Sequence, residues 1–303
     1  MPSQKPSLSL VALPGRRRAA LDLAQEIERR GYPGIYCPSV TNNMAFCQAM
    51  AQVTERVMIG TSITPIYTRL PLDYAQSAAF IHEISGGRFR FGVGVSHAPA
   101  HERMGVTVGK PLGDMRRFVQ DYHDAPRTGD KPPLILATLR KKMIALSAEI
   151  GDGMVFANGA RSHMADSLAV LPDATRNDPG FFIGNMIPTC VSNDIEAAKA
   201  VNRRTLHSYV QLPNYRNYWK EAGYVEEMTA VEKAIATGDL DALPGCMSDE
   251  WLADTTIAGS ASHVRDELEK WREVGIREPI IVPSSAEGNQ FKGFEEIFAV
   301  FDD

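Results

Sequence analysis

The chain has 303 residues, of which 44% are hydrophobic and 23% charged, a composition typical of globular proteins. Its formal net charge of −5 argues against nucleic-acid binding, and we interpret the short basic run Arg16-Arg17-Arg18 as the solvated first turn of a helix. Residues 1–7 lack the apolar stretch of a signal peptide, and no run approaches the roughly 18 apolar residues that a membrane span needs, so we expect neither feature. Four widely spaced cysteines form no CxxC pair and indicate neither a disulfide framework nor a zinc site: Cys37, Cys47, Cys190 and Cys246. We therefore expect a cytoplasmic protein without a membrane or nucleic-acid partner.

Short apolar runs alternate with amphipathic stretches along the whole chain. The runs are unbroken, which is typical of parallel strands buried on both faces. About eight such β-α units favour a closed α/β barrel, a (β/α)8 TIM barrel, over an open sheet, and we expect one domain over residues 1–303. The predicted strands are, in order, Leu8–Leu13, Gly34–Cys37, Val57–Ile63, Arg88–Val95, Pro133–Thr138, Gly153–Asn158, Phe181–Val191 and Pro279–Val282. The clearest predicted helices between them are Leu72–Ile84, Lys141–Ile150 and Ser262–Val274.

Residues 206–256 interrupt this alternation. The segment contains Leu212-Pro213-Asn214-Tyr215 and then helix-like sequence without a clear strand. In a barrel, this pattern predicts a helical insertion after strand seven, on the face where substrates bind. A structural subdomain or a dimer contact would explain the segment equally well.

A pair of glycines in predicted strand four, Gly92-x-Gly94, invites comparison with a dinucleotide-binding loop. The third glycine of a GxGxxG motif would stand at position 97, which is His97. We therefore reject a Rossmann phosphate loop.

Two segments around that strand resemble the luciferase-like oxidoreductases, and within that family the branch that uses coenzyme F420. They are Gly60–Arg69, which ends predicted strand three, and the Ser85–Phe89 turn followed by Gly92–Val95. Most of the chain is similar, apart from about residues 121–131, 172–180 and 226–256. The resemblance implies a TIM-barrel enzyme that transfers a hydride between coenzyme F420, a deazaflavin, and a small organic substrate, and it also implies a homodimer. A monooxygenase that uses flavin mononucleotide (FMN) is the nearest alternative.

The resemblance also implies site residues. A bulge with a non-prolyl cis peptide at Ser62-Ile63, within Thr61–Thr64, would lie behind the ring of the cofactor. The segments that follow strands five and six would bind its phosphate: Ala137, Thr138 and Leu139, and Ala157, Asn158 and Gly159. Free N–H groups at a helix start suit such an anion.

His97 ends predicted strand four, close to where the family places the reacting carbon. An imidazole there could exchange a proton with a substrate oxygen, so we expect His97 to be catalytic. His97 and His101 have a spacing that could also bind a metal, but the first strand lacks the HxH motif of metal-dependent barrels, and we expect no metal.

Several charged and polar residues are further candidates for ligand binding. Tyr67 and Arg69 follow the bulge and could bind substrate, or they could simply pack beneath a loop. Arg140, Lys141, Lys142 and Arg161 could pair with the anionic tail of a deazaflavin, or they could be solvated.

The chain departs from the sugar-phosphate dehydrogenases of the same family. Those enzymes have an acid and a His at the end of strand two, where this chain has Cys37-Pro38-Ser39-Val40. We therefore expect a different reaction. The departure also leaves open a non-catalytic barrel that binds a cofactor or another ligand.

Overall fold

A computed structural model describes residues 4–302 of the chain. Its ten strands are β1 Ser7–Ser9, β2 Gly34–Cys37, β3 Met58–Thr61, β4 Thr64–Pro65, β5 Phe89–Gly94, β6 Leu134–Ala137, β7 Gly153–Ala157, β8 Phe182–Val191, β9 Ile257–Gly259 and β10 Glu278–Ser284. Predicted strand three, Val57–Ile63, covers β3 and the two residues after it, and β4 lies just beyond its end. Predicted strands four to eight correspond to β5, β6, β7, β8 and β10. The first strand is shorter than predicted and starts one residue earlier.

Fourteen α-helices connect or follow these strands within residues 4–302. They are α1 Arg17–Arg29, α2 Asn43–Val53, α3 Pro71–Ile84, α4 Ala98–Met104, α5 Pro111–Asp124, α6 Lys141–Ile150, α7 Met164–Leu168, α8 Asp173–Asn177, α9 Ile195–Val210, α10 Pro213–Glu221, α11 Val225–Thr237, α12 Asp249–Thr255, α13 Ala261–Glu273 and α14 Gln290–Phe301. Two 3-10 helices cover Arg161–His163 and Leu240–Cys246. None of the helices in this part of the chain is long and apolar enough to cross a membrane.

The strands form one sheet whose order follows the chain: β10-β1-β2-β3-β5-β6-β7-β8. Because β10 also pairs with β8, the order closes on itself, and the fold is the expected (β/α)8 barrel. Short strands β4 and β9 pair in parallel with β5 and with the carboxyl end of β8. Residues 206–256, all of them described, consist of the end of α9, then α10, α11, a 3-10 helix and α12, without a strand.

Contacts between Cα atoms divide the chain into two compact units. The first, called here the amino-terminal unit, contains residues 5–155 and 170–184. The second, the carboxy-terminal unit, contains residues 156–169 and 185–302 together with residue 4. The single domain expected from the sequence stays a prediction.

Aromatic side chains form the core of each unit. In the amino-terminal unit, Phe91 of β5 packs 5.5 Å from the ring of Tyr74 on α3 and 5.5 Å from Tyr122 on α5. In the carboxy-terminal unit, Trp219 of α10 meets Trp251 of α12 edge to face at 4.9 Å. Burial of such large rings is a main source of stability, and in the amino-terminal unit it places α3 and α5 against β5, which lies beside the candidate site.

Candidate active site

The chain leaves regular strand geometry at the end of β3. After Thr61, the Ser62-Ile63 peptide bond is cis, as the sequence analysis expected. Directly after Ile63, Thr64 and Pro65 form β4 and pair with Val93 and Gly94 of β5. Ser62 and Ile63 thus form a bulge between two short strands that both lie beside β5.

Two glycines of β5 make room for this bulge. A Cβ atom on Gly92 would lie 1.9 Å from the Thr61 carbonyl oxygen, which is a backbone atom and cannot move aside. A Cβ atom on Gly94 would lie 2.8 Å from Ile63 Cδ1 and 2.9 Å from Ala137 Cβ. The two glycines therefore allow β3, the bulge and β6 to lie close to β5. This packing explains the Gly92-x-Gly94 motif, which a dinucleotide-binding loop does not explain.

Hydrogen bonds hold the bulge from both β5 and β2. The Thr61 hydroxyl donates to the Gly92 carbonyl at 2.7 Å and accepts from the Gly92 N–H at 2.9 Å. The Ser62 N–H donates to the Cys37 carbonyl at the end of β2, at 2.9 Å. The buried amide of Asn43, the first residue of α2, reaches both Cys37 and Ile63. Sequence reasoning missed Asn43, which no motif marks.

His97 follows β5 and immediately precedes α4. The residue before it, Ser96, has a φ of +60°, a conformation that a serine rarely adopts and that often occurs at functional sites. Burial, together with the nearby His101, lowers the pKa of His97 to about 4. The imidazole is therefore neutral at pH 7, and it can exchange hydrogen bonds but does not carry a proton to donate as an acid.

Tyr67 lines a cleft in the amino-terminal unit. Its hydroxyl donates to Asp114 Oδ2 on α5 at 2.8 Å, and its ring meets His101 edge to face at 5.2 Å. Burial and the Asp114 carboxylate raise the pKa of Tyr67, so the phenol keeps its proton. The cleft has a volume of about 590 Å³ and is bounded by the loop after β4, the loop before α5 and α5 itself.

Arg69 does not line this cleft. Its guanidinium donates to Asp73 at 3.4 Å and to Asn42 at 3.2 Å, and it lies over the ring of Tyr74. Of the two residues expected to bind substrate, Tyr67 therefore lines the cleft and Arg69 does not. The charge of Arg69 is already paired with that of a neighbouring side chain.

The end of β6 has the features of an anion site. Thr138 is 5% exposed, and its hydroxyl has no hydrogen-bond partner among the described residues. Leu139 and Arg140 lead into α6, which has no side-chain cap at its amino end, and exposed Lys141 and Lys142 start the helix. Cations at an uncapped helix start are unfavourable unless an anion lies nearby. These residues therefore fit the phosphate of a cofactor.

The residues after β7, in the carboxy-terminal unit, are organised differently. Asn158 follows Ala157 with a φ of +57°, and its side-chain nitrogen is buried without a partner among the described residues. The backbone N–H groups of Asn158, Gly159 and Ala160 donate to Met186 O, Asn185 Oδ1 and Tyr218 Oη. These N–H groups are thus occupied, so any ligand contact here would use the Asn158 side chain.

Arg161 is also occupied. Its guanidinium pairs with Glu267 on α13, a carboxylate that Lys270 contacts as well. Arg161 therefore differs from exposed Lys141 and Lys142, with which the sequence analysis grouped it, because its charge is already paired with that of Glu267. In residues 4–302, no group of three or more His, Cys, Asp or Glu side chains is arranged to hold a metal ion.

Comparison with known proteins identifies the class to which this fold and site belong. The model of the protein family described as luciferase-like monooxygenase matches residues 4–123 and 113–278 of the chain. The chain belongs to that family and is an oxidoreductase, as the sequence resemblance implied.

Individual relatives refine the comparison. A Mycobacterium tuberculosis protein named as a coenzyme F420-dependent oxidoreductase is 26% identical over 281 residues, covering 77% of this chain and 81% of that protein. The structure of a coenzyme F420-dependent tetrahydromethanopterin reductase from Methanopyrus kandleri superimposes with a TM-score of 0.77, at 17% identity and 97% coverage of both chains. An F420-dependent secondary alcohol dehydrogenase, solved with an F420-acetone adduct, gives a TM-score of 0.72 at 17% identity, covering 98% of each chain. The similarity to the F420-dependent branch is confirmed.

Replacing Gly94 by Ala should destabilise the protein, because the new methyl group would meet Ile63 and the rigid Ala137 Cβ. We expect the free energy of unfolding to fall by about 1–3 kcal/mol, as for an overpacked core. Gly113→Ala is the matched control, since a Cβ there meets nothing within 4 Å and α5 should gain stability. Urea denaturation of both variants measures the difference, and equal shifts would contradict the packing described for the bulge.

The low pKa of His97 predicts that stability depends on pH. As pH falls below the usual histidine pKa near 6.5, the unfolded chain binds a proton that folded His97 does not bind until about pH 4. This part of the stability is therefore lost between pH 6.5 and 4, by as much as about 3 kcal/mol. Urea denaturation at several pH values should show a weaker loss for His97→Gln. An identical pH dependence in the two proteins would mean that His97 titrates normally.

Proposed function

We propose that the protein binds coenzyme F420 and transfers a hydride between its deazaflavin ring and a small organic substrate. The observation that carries the proposal is the Ser62-Ile63 bulge, which packs against Gly94 in the same unit as the uncapped start of α6. Thr61, Ser62, Ile63 and Thr64 would support the ring. Ala137, Thr138 and Leu139 would hold the phosphate, because the Thr138 hydroxyl lacks a partner there.

When bound, the deazaflavin supplies a hydride donor or acceptor at a ring carbon, and the protein supplies position and electrostatics. Neutral His97 would hydrogen-bond a substrate oxygen as the charge on that oxygen changes. Tyr67, whose proton is donated to Asp114, would present its oxygen to the substrate as an acceptor. Ala157, Asn158 and Gly159 remain candidates for a further cofactor contact, through the Asn158 side chain alone.

We also propose that the protein is a homodimer, as the family resemblance implies. Leu70, Leu72 and Phe80, on α3 or just before it, are 75%, 43% and 49% exposed. Large apolar side chains grouped on one helix are typical of a surface that another protein covers. Sedimentation equilibrium would test the proposal, and a monomer at micromolar concentration would contradict it.

F420 should bind more tightly than FMN, and its affinity should fall with salt. The reason is electrostatic: Lys141 and Lys142 are exposed at the start of α6, and the deazaflavin tail carries more negative charge than FMN. Calorimetric titration of the apo-protein with each cofactor, at low and high salt, measures both effects. Lys141→Glu with Lys142→Glu should weaken F420 binding, whereas the matched charge reversal Arg17→Glu with Arg18→Glu should not. Tighter binding of FMN would favour the FMN-dependent monooxygenase instead.

His97→Ala should lower turnover about 100-fold, because it removes a hydrogen bond to the oxygen whose charge changes during the reaction. F420 affinity should stay unchanged, because His97 is assigned to the substrate and not to the phosphate. F420 absorbance under steady-state conditions, with a panel of alcohols and carbonyl compounds as substrates, measures the rate. His123→Ala, which changes an exposed histidine of α5, is the control. Full activity of His97→Ala would contradict the role assigned to His97. If the wild type turned over none of the substrates, the alternative of a non-catalytic barrel that binds a cofactor or another ligand would be favoured.

A further inference from the structure

Asn43 makes hydrogen bonds to three residues in two segments of the amino-terminal unit. Its side-chain nitrogen donates to the Cys37 carbonyl at 3.1 Å and to the Ile63 carbonyl at 3.2 Å. Its side-chain oxygen accepts from the Thr64 hydroxyl at 3.0 Å. Asn43 is 4% exposed, so these partners replace water. The amide fits in only one orientation. If it were flipped, its own oxygen would face the carbonyl oxygens of Cys37 and Ile63, which cannot donate a hydrogen bond.

These bonds do not serve the helix that begins at Asn43. The preceding residue, Asn42, already caps α2 by accepting a hydrogen bond from the Ala45 N–H. The Asn43 amide instead fixes the backbone of the bulge, since it binds the Ile63 carbonyl and the Thr64 hydroxyl that follows. The Ile63 side chain packs against Gly94 of β5, so Ile63 is held at its backbone and at its side chain by different segments.

We propose that Asn43 is a positioning residue, which sets the place of the Ile63 backbone and through it the affinity and absorption spectrum of a bound deazaflavin ring. This inference rests on the proposed function for its ligand, but the placement of the bulge by Asn43 can be measured without a ligand. A backbone segment that supports a ring must be held closely, because small displacements of a supporting group weaken binding. Asn43 itself would touch no part of the cofactor.

The test compares Asn43→Leu with Asn202→Leu. Leucine has a similar size and no charge, so it removes the hydrogen bonds without repelling an anionic ligand. Asn202 is the control in the carboxy-terminal unit, because it is fully buried and its side-chain nitrogen donates two hydrogen bonds, to Ile257 O and Thr256 Oγ1, at 3.0 Å each. Leucine removes three hydrogen bonds at Asn43 and two at Asn202, so the loss of stability should be smaller in Asn202→Leu, and urea denaturation of both variants measures it. If either variant does not fold, Asn43→Ser and Asn202→Ser replace the pair.

Two measurements are made on each variant. Hydrogen–deuterium exchange of the apo-protein should be faster at residues 61–64 in Asn43→Leu only. Titration with oxidised F420, followed by both fluorescence and absorption, should show at least about tenfold weaker binding and a shifted absorption band in Asn43→Leu, with neither change in Asn202→Leu.

The outcomes separate this inference from the proposed function. Wild-type F420 affinity and spectrum in Asn43→Leu would overturn the inference, as would equal effects in both variants. If the wild type binds no deazaflavin, the proposed function fails, and the exchange data alone decide whether Asn43 positions the bulge. Unchanged exchange at residues 61–64 in Asn43→Leu would then contradict that role.

Discussion

The close approach of β3 to β5 is the constraint on which the rest of the site depends. At Gly92 the Thr61 carbonyl oxygen occupies the space that any Cβ atom would need. At the same point the Thr61 hydroxyl forms hydrogen bonds with the backbone of Gly92. Strand β3 ends at Thr61. The chain passes through Ser62 and Ile63 before β4 resumes pairing with β5, and the bulge fits there because β5 has glycine at positions 92 and 94.

Electrostatic partners determine which polar groups remain available to a ligand. Arg69 and Arg161 are neutralised by Asp73 and Glu267, and the N–H groups after β7 are already bonded. The Thr138 hydroxyl is different, because it is buried without a partner in the described part of the chain. An unpaired buried polar group is costly, so a ligand that bonds it gains more than one that competes with existing bonds.

The fold was largely predictable from the sequence, because unbroken apolar runs alternate with amphipathic stretches and that pattern is local. Helix α6 begins and ends as predicted, α3 begins one residue earlier than predicted, and α13 begins and ends one residue earlier. The first strand was predicted too long, since Leu10–Leu13 continues the apolar run but follows the last residue paired as strand, Ser9. The position of the bulge was predictable too, but only through resemblance to a family.

Other parts of the site could not be predicted, because they depend on partners distant in sequence. Asn43 and Ile63 are 20 residues apart, and nothing local distinguishes Asn43 from the neighbouring cap Asn42. Tyr67 and Asp114 are 47 residues apart, and Arg161 and Glu267 are 106 apart. The lowered pKa of His97 likewise follows from burial, which the sequence alone does not reveal.

A crystal structure of the protein with bound F420 would test the central claim most directly. Our account predicts that one face of the deazaflavin ring lies against Ser62-Ile63 and that the phosphate contacts the Thr138 hydroxyl and the start of α6. A ring bound away from the bulge, or a phosphate held by other residues, would contradict it.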